Sequence, residues 1–559
     1  MERTEIMPSA CSSTVLLSYG AFLAAVVTFL LFFSARNYQF VALDDYAYVV
    51  NNQHISQLDW RTVWWAFTTF HEGNWHPVTL LSLAVDRYFW ELDSFGYHLT
   101  NSLIHSLTVL MACHLFFVLL SAAYKEHPEE GRSQRGIVVG SIIGALFFGL
   151  HPLRVESVVW ISERKDVLCL FFVTAAIWWY LRYAYQSQAR VSVPFWRFRS
   201  YWVTFALSSL ALMSKSAAVS MPCILCIIDW YPLGRRSVRG GFIRTQIDKI
   251  PLVMLSVIAS FLALQSQRGA TKVFAELDLS SRVLIACKAL FFYLTKTLWP
   301  FDLGPFYGHP GNVASTAPGE YLLYLLMMAG LLLTVALVGR RWRMWPALFC
   351  YYVVTLMPML GLIQVGGQWV ADRYSYLPAL GLSLIWAGGS VWLVDRLHSK
   401  RTISYSLLGL VLILCQLLIF CVLTVRQIPV WSTTETLTSR IIEMQPQRYG
   451  EVYYVRAVYR NRAGLYQLAL EDIGEAMRSA LQQNRHEVFS KIAFVEASIL
   501  KNLGRIPEAL AMADWGAEIA VVAPSAEDRA LHEELIRITL PHNLSQEGMG
   551  AKDGMDLKK

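Results

Sequence analysis

The chain has 559 residues, 55% of them hydrophobic and 16% charged, with a mean hydropathy of +0.39. That composition excludes a soluble globular protein of this length. The net charge of +7 comes from Lys and Arg gathered in short loops between apolar runs, a pattern of membrane topology rather than of nucleic-acid binding.

Apolar runs at or near bilayer-spanning length fall at 14–33, 100–120, 136–150, 167–184, 200–213, 217–231, 250–266, 282–299, 320–338, 344–363, 374–395 and 403–425. The first is predicted to be a retained anchor. Its leader carries Arg3 against Glu2 and Glu5, and no small-residue cleavage site follows. Basic residues cluster at Lys125, Arg132 and Arg135; at Arg182, Arg190, Arg197 and Arg199; at Arg235, Arg236, Arg239 and Arg244; at Arg340, Arg341 and Arg343; and at Arg396, Lys400 and Arg401. The positive-inside rule puts all five loops in the cytoplasm. The loop holding Asp44, the 151–166 loop and the 364–373 loop then face the other side. Residues 235–249 and 340–343 must be separated by an even number of crossings, yet three apolar runs lie between them. The run at 282–299, interrupted by Arg282, Lys288 and Lys296, is therefore read as interfacial or re-entrant. The expected fold is an α-helical polytopic membrane protein of about 11 spans, with the C-terminal region on the same side as Asp44.

All nine cysteines except Cys11 lie in apolar runs, so no disulfide framework is expected, and Cys223 and Cys226 read as packing residues. Residues 1–425 are predicted to form the membrane domain, 426–540 a helical domain and 541–559 a disordered tail. In the helical domain "AGLYQLAL" and "LGRIPEAL" repeat, with Gly464 and Gly504 forty residues apart and Pro446 and Pro524 flanking the pair. Gly in the turn and Ala at the helix contact suit antiparallel hairpins. They look like tetratricopeptide (TPR) repeats with about six residues inserted in the usual period.

Candidate chemistry lies on the side opposite the basic loops. Asp44 and Asp45, just beyond the first span, precede Asn51, Asn52 and an amphipathic stretch capped by Asp59. There Trp60, Trp64, Phe67 and His71 share one helical face suited to the headgroup layer. "NWHP" opens a second such helix at Pro77. "HPLRVESVVWISERKD" brings His151, Arg154, Glu156, Glu163, Arg164, Lys165 and Asp166 between two spans. Lys215 stands in a tight turn, and Asp372 and Arg373 enter the span at 374. Arg373 defies the positive-inside bias, which a bound phosphate would explain. A carboxylate base with several phosphate-holding cations on one face suits group transfer from a lipid-linked phosphate to a hydroxyl. Asp44 and Asp45 are the catalytic candidates, with Asp45, nearer the Tyr46–Asn52 segment, favoured. Arg164, Lys165, Lys215 and Arg373 are the phosphate-binding candidates. Trp75, His76, His151 and Glu156 are candidates for the acceptor and sugar pocket. His71, His76, His98, His105 and His151 have no compact metal-ligand spacing, and no phosphate-cradling Gly loop occurs, so no cofactor is expected.

The blocks "LDDYAYVVNN", "GNWHPVTLLSLAVDRYFW", "GYHLTNSLIHS", "LHPLRVESVVWISERKDVL", "DWYPLGR" and "WVADRYSYLP" together resemble the signature of the transmembrane and TPR-containing glycosyltransferases. The resemblance runs through nearly the whole membrane part and ends, as that family does, in TPR. It implies a GT-C fold, a polyprenyl-phosphate sugar donor, inversion at the anomeric carbon, and a catalytic carboxylate at Asp44 or Asp45. It also implies protein O-glycosylation, with a protein acceptor docked on the TPR domain and no nucleic-acid partner. The short repeat region departs from the animal members, which carry many repeats, and resembles bacterial ones. The expected location is the bacterial inner membrane with site and repeats periplasmic, or the endoplasmic reticulum membrane in a eukaryote. The rival readings are a polytopic transporter, which would place charges in mid-span, and a catalytically silent scaffold presenting TPR hairpins to a partner protein.

Overall fold

The structure, a computed structural model, describes residues 11–125, 133–235, 241–267, 279–308, 318–362, 368–397, 403–445, 450–483, 485–519 and 526–539. Arg132, Arg236, Arg239, Lys400, Arg401, Pro446, Pro524 and the tail expected at 541–559 lie outside the described residues. The fold is 83% helical, with no strand among the described residues, and is that of a helical polytopic membrane protein. It divides into two compact units, Met1–Ser432 and Thr433–Lys559.

In the first unit, helix α1 (Cys11–Phe32) leads into a long loop that holds two surface helices, α2 (Trp60–Thr68) and α3 (Pro77–Trp90). The Asp59 carboxylate accepts the Thr62 N–H at 2.9 Å, so α2 starts where the sequence places its cap. Trp60, Trp64 and Phe67 are exposed along its outward face. His71 turns inward instead and its Nε2 lies 3.1 Å from the Ala47 carbonyl oxygen.

The bundle continues with α4 (Ser94–Lys125), α5 (Gln134–Gly149), α6 (Val155–Val159), α7 (Arg164–Ala189), α8 (Arg199–Ser214), α9 (Met221–Trp230), α10 (Gly241–Ile247) and α11 (Ile250–Ser266). It is completed by α12 (Leu279–Leu298), α13 (Pro318–Gly339), α14 (Met344–Leu356), α15 (Pro378–Arg396) and α16 (Ile403–Gln427). Among the described residues, seven helices are long and apolar enough to cross a membrane, or eight if the pair Gln134–Gly149 and Pro152–Val159, bent by 55°, is one span. The other three expected spans are shorter: α8 has 16 residues, and Ser216–Trp230 and Met344–Met359 are apolar helices below spanning length. At 1.5 Å per residue such helices fall short of a ~30 Å hydrocarbon core by several ångströms.

Two buried charge clusters show how a short segment still bridges the bundle. Lys215 bonds to Asp166 at the start of α7, while Asp229, at the end of α9, accepts the Tyr180 hydroxyl proton at 2.7 Å, far along the same helix. Residues 215–229 therefore run alongside most of the rise from Asp166 to Tyr180. In the second cluster Asp229 pairs with Arg235 at 2.8 Å, and Lys249 with Asp248 at 2.7 Å. Arg235 also reaches Asp248 at 3.3 Å, so two cations and two carboxylates neutralise each other where water is excluded.

Helix α12, with charges along its length, is not among the seven. Its Tyr293 hydroxyl donates to the Ala371 carbonyl at 3.1 Å, its Thr297 carbonyl oxygen lies 3.0 Å from His151 Nε2, and its Lys288 pairs with Glu320 at 2.7 Å. The preceding helix ends with the Ser266 hydroxyl donating to the Gly73 carbonyl in the first long loop. All these contacts hold α12 at the level of that loop. Helices α5 and α15 meet closely through Gly140 and Gly144: a Cβ at Gly140 would lie 2.5 Å from the Ala387 carbonyl, and one at Gly144 2.7 Å from the Ala387 side chain. This is the small-xxx-small contact that lets apolar helices pack backbone to backbone in lipid.

The second unit is an antiparallel helical stack, α17 (Thr434–Met444), α18 (Gly450–Arg462), α19 (Tyr466–Gln482), α20 (Phe489–Asn502), α21 (Ile506–Glu518) and α22 (Ala526–Thr539). Gly464 and Gly504 make the two tight turns at φ 78° and 77°, and Ala469 and Ala509 are fully buried at the helix contacts that follow. Arg456 grips Asp472 with two bonds, at 2.9 and 2.6 Å.

Candidate functional site

The site is built at the start of α7, where the chain turns through Ile161–Glu163 into the helix. Carboxylates suit this end, because the free N–H groups and the helix dipole favour negative charge. Glu163, only 1% exposed, is the hub: Lys165 Nζ lies 3.2 Å from it, Lys215 Nζ 3.3 Å and Arg373 Nε 3.2 Å. The three cations arrive from three separate segments. Lys165 comes from the first turn of α7, Lys215 from the turn after α8, and Arg373 from the turn before α15. Arg373 is fixed further by Glu156, which accepts its backbone N–H at 2.8 Å and also bonds its guanidinium, and by Gln368 at 2.9 Å. Ser157 donates to Asp166 at 3.1 Å, steadying the carboxylate that pairs with Lys215.

Burial opposes the charge on Lys215, but Asp166 and Glu163 outweigh it and raise the ammonium's pKa. Burial likewise opposes the charge on Arg373, and Glu156 and Glu163 overcome it. Both are therefore held as cations. Their side chains are nevertheless open at one edge, with Lys165, Lys215 and Arg373 exposed by 11, 12 and 13%. Aromatic faces line that edge: Lys165 stands 5.3 Å from the Tyr48 ring, and Arg373 5.4 Å from Trp160 and 5.1 Å from Tyr374.

The two aspartates differ in setting. Asp45 is 1% exposed, and its oxygens accept the Ser162 N–H at 2.9 Å, the Ser162 hydroxyl, and the Val41 N–H at 3.1 Å. Burial lifts its pKa to about 6 in spite of those bonds. Asp45 thus pins the first long loop onto the α7 entry. Asp44 is 41% exposed and its carboxylate lies 3.8 Å from Lys165 Nζ, at the opening of the cation group.

The other candidates separate in the same way. Arg164 is fully buried, and four bonds hold its guanidinium to Asn101, Ser82 (2.9 Å), Asp86 (2.5 Å) and the Tyr97 carbonyl (3.0 Å). It ties α3, α4 and α7 together and stands apart from the other three cations. His76 is buried and stacks on Tyr48 at 5.3 Å; burial, helped by the Lys165 charge, drives its pKa well below the usual value. Its Nε2, the Tyr48 hydroxyl and the Trp160 indole nitrogen are buried without a hydrogen-bond partner among the described residues. Trp75 spends its N–H on the Phe67 carbonyl at 3.0 Å and braces the α2–α3 connection. His151 lies between Leu153 N and the Thr297 carbonyl and packs on Phe420 at 4.4 Å.

Sequence reasoning did not identify Ser162, the partner of Asp45, or the Asp86–Arg164 pair. A buried Arg within one residue of a needed Lys gives no sequence signal of which one faces the opening. Asp372, noted only with Arg373, accepts the Tyr307 hydroxyl at 2.7 Å; burial and the Glu156 charge raise its pKa. Among the described residues no group of three or more His, Cys, Asp or Glu is placed to hold a metal ion.

No family model matches the chain, and no solved structure matches it. The curated relatives are informative. Protein O-mannosyl-transferase TMTC4 of Homo sapiens is 25% identical over 218 residues, which cover 36% of this chain and 28% of that protein. Protein O-mannosyl-transferase TMTC3 of Homo sapiens is 20% identical over 351 residues, covering 56% and 35%. Protein O-mannosyl-transferase F38B6.6 of Caenorhabditis elegans is 20% identical over 430 residues, covering 74% and 56%. The chain spans about a third of the length of the two human relatives it matches, 28% and 35%. Its curated homologues are thus transmembrane and TPR-containing O-mannosyltransferases, and the chain is related to them at low identity.

Proposed function

We propose that the protein is a membrane glycosyltransferase that moves a sugar from a polyprenyl-phosphate donor to a hydroxyl of a protein acceptor, with inversion. The relatives' names carry O-mannosyl transfer, and mannose is the sugar we propose first. One observation carries this reading: an exposed carboxylate, Asp44, stands 3.8 Å from the first of three cations that converge on Glu163 from separate segments.

In this reading Asp44 is the general base. The acceptor oxygen attacks the anomeric carbon, its proton passes to Asp44, and the bond from that carbon to the phosphate oxygen breaks. The electron pair leaves on the phosphate, whose growing charge faces Lys165, Lys215 and Arg373. Those cations are already partly paired. However, an ammonium has three donors and a guanidinium five, so donors remain for phosphate at the open edge. His76, Tyr48 and Trp160 are proposed to back the sugar pocket from within the fold, and Glu156 aims Arg373. Asp45 and Arg164 are proposed as positioning residues. Residues 1–425 would form the catalytic domain, with its site on the face away from the basic loops, and 426–540 the repeat domain that docks the acceptor.

The test is donor binding and transfer by the purified full chain. Arg373→Ala should weaken binding of a polyprenyl-phosphate sugar about tenfold or more, and Arg373→Lys should restore it only in part because the forked geometry is lost. Unchanged donor affinity in Arg373→Ala would remove the phosphate role. A nucleotide sugar that binds better than the lipid-linked one would overturn the donor class.

A further inference from the structure

At the ends of α4 and α7 remote from the charged cluster, a cavity of about 1120 Å³ opens among α4, α5, α7 and α8. Lys165 in the cluster and Arg182 at the cavity are seventeen residues apart on α7, and Arg190 follows the helix eight residues later. At 1.5 Å per residue that is roughly 25–38 Å, the thickness of a bilayer core. Five cations line the cavity: Lys125, Arg182, Arg190, Arg197 and Arg199. Among the described residues no Asp or Glu lines it, and no carboxylate pairs with any of the five. Five like charges around one space repel each other unless an anion joins them.

The walls change character with depth. Phe117 and Val118 lie about two turns deeper on α4 than Lys125, and Val203 lies one turn deeper on α8 than Arg199. Lys125, Arg190, Arg197 and Arg199 thus rim the cavity, while Arg182 stands about two turns deeper on α7 beside the apolar side chains of its floor. Trp179, with the Arg182 guanidinium 5.3 Å above its ring, and Tyr185 flank Arg182 one turn to either side on α7, as aromatics do near a headgroup boundary. A soluble anion has no use for an apolar floor, and a nucleic acid would need an open track rather than a cavity at membrane depth. We propose that this cavity binds the phosphate headgroup of an anionic phospholipid, with its acyl chains against Phe117, Val118, Ile137 and Val203.

The full chain in neutral detergent is titrated with short-chain phosphatidylglycerol or phosphatidylcholine of equal chain length, and retained lipid is read by native mass spectrometry. Phosphatidylglycerol should bind at least about tenfold more tightly. Replacing Arg182 and Arg199 together by Ala should weaken it about thirtyfold, from roughly fivefold per surface cation. The paired Lys replacements should keep most of the affinity and guard against a folding defect in the Ala variant. Replacing Arg340 and Arg341, in a different basic loop, should change nothing. Equal affinity for the two lipids, or equal loss in the Arg340 and Arg341 variant, overturns the site. Displacement by glycerol 3-phosphate at the lipid's own concentration would make the ligand a soluble anion and overturn the lipid assignment.

Discussion

Asp44 and Asp45 are adjacent in sequence but sit in different physical worlds, and substitution should separate their roles. Asp44→Asn removes the proposed proton acceptor and leaves no buried group unpaired. Transfer should fall on the order of a hundredfold or more with donor binding and thermal stability kept. Full activity in this variant would remove Asp44 from the chemistry. Asp45→Asn keeps an oxygen for Ser162 but turns an N–H donor toward another donor, so stability and activity should fall together. Its pH dependence has a definite sign. The folded state holds the Asp45 proton up to about pH 6, whereas an unfolded aspartate releases it near 3.9. Wild-type stability from this group is therefore greatest below about pH 4 and falls by up to about 3 kcal/mol as pH rises to about 6. The melting-temperature gap between wild type and Asp45→Asn should shrink across that window. A gap that is constant from pH 4 to 7 would show that Asp45 does not titrate there. The sequence marks the pair as costly carboxylates beside a span. It cannot say which one Ser162 would cover, because that contact joins residues 117 positions apart. Lys215 and Arg373 were legible for the opposite reason, as lone cations at the wrong end of apolar runs. Arg164 stands directly beside Lys165, and only the fold shows that Asp86 claims it.

Elements hold the site through two kinds of contact, and each predicts its own loss. In the second charge cluster Asp229 is completely buried and neutralises Arg235 and Lys249. Asp229→Ala leaves Arg235 and Lys249 to share Asp248, one positive charge in excess in the bundle, and should cost about 3–5 kcal/mol of stability. Unfolding in detergent checks this, and a change below 1 kcal/mol would mean that water reaches the cluster. The α5–α15 seam depends on shape instead. Gly144→Leu drives a side chain into Ala387 and the Ser383 carbonyl and should separate those helices, lowering stability with the charges untouched. In the repeat unit, Gly464→Ala meets no atom within 4 Å, so its cost is backbone strain alone, about 1 kcal/mol. These elements were readable as apolar runs and as a Gly–Ala repeat. The role of the Gly140-Ser-Ile-Ile-Gly144 spacing emerged only with the fold, which brings both glycines against Ala387. The Asp229–Lys249 pairing was not readable either, since its partners lie on different helices and only the fold brings them together.

At the scale of the molecule, the two charge clusters lie about 20 Å apart along α7, as the rise from Asp166 to Tyr180 gives. They fix a direction for every helix that touches both. Residues 215–229 join them, so this short segment runs from the first-loop level to the opposite one. By the same logic α12 does not: Tyr293 and Thr297 meet partners at the first-loop level, Lys288 stands 5.6 Å from the Trp369 ring close to Ala371, and Ser266 of the preceding helix ends there too. Counting α12 as non-crossing leaves α1, α4, α5, α7, α8, α9, α11, α13, α14, α15 and α16 as spans and puts the basic loops together on one face, as the positive-inside rule asks. Reporter fusions after Lys125, Gly308, Arg341 and Thr436 should then read cytoplasmic, outside, cytoplasmic and outside. The Gly308 fusion is the discriminating one, because it follows α12 and precedes α13. A cytoplasmic reading there would make α12 a true span. It would also require its contacts with Ala371 and Glu320 to form across the bilayer, which hydrogen bonds of 3.1 and 2.7 Å do not permit.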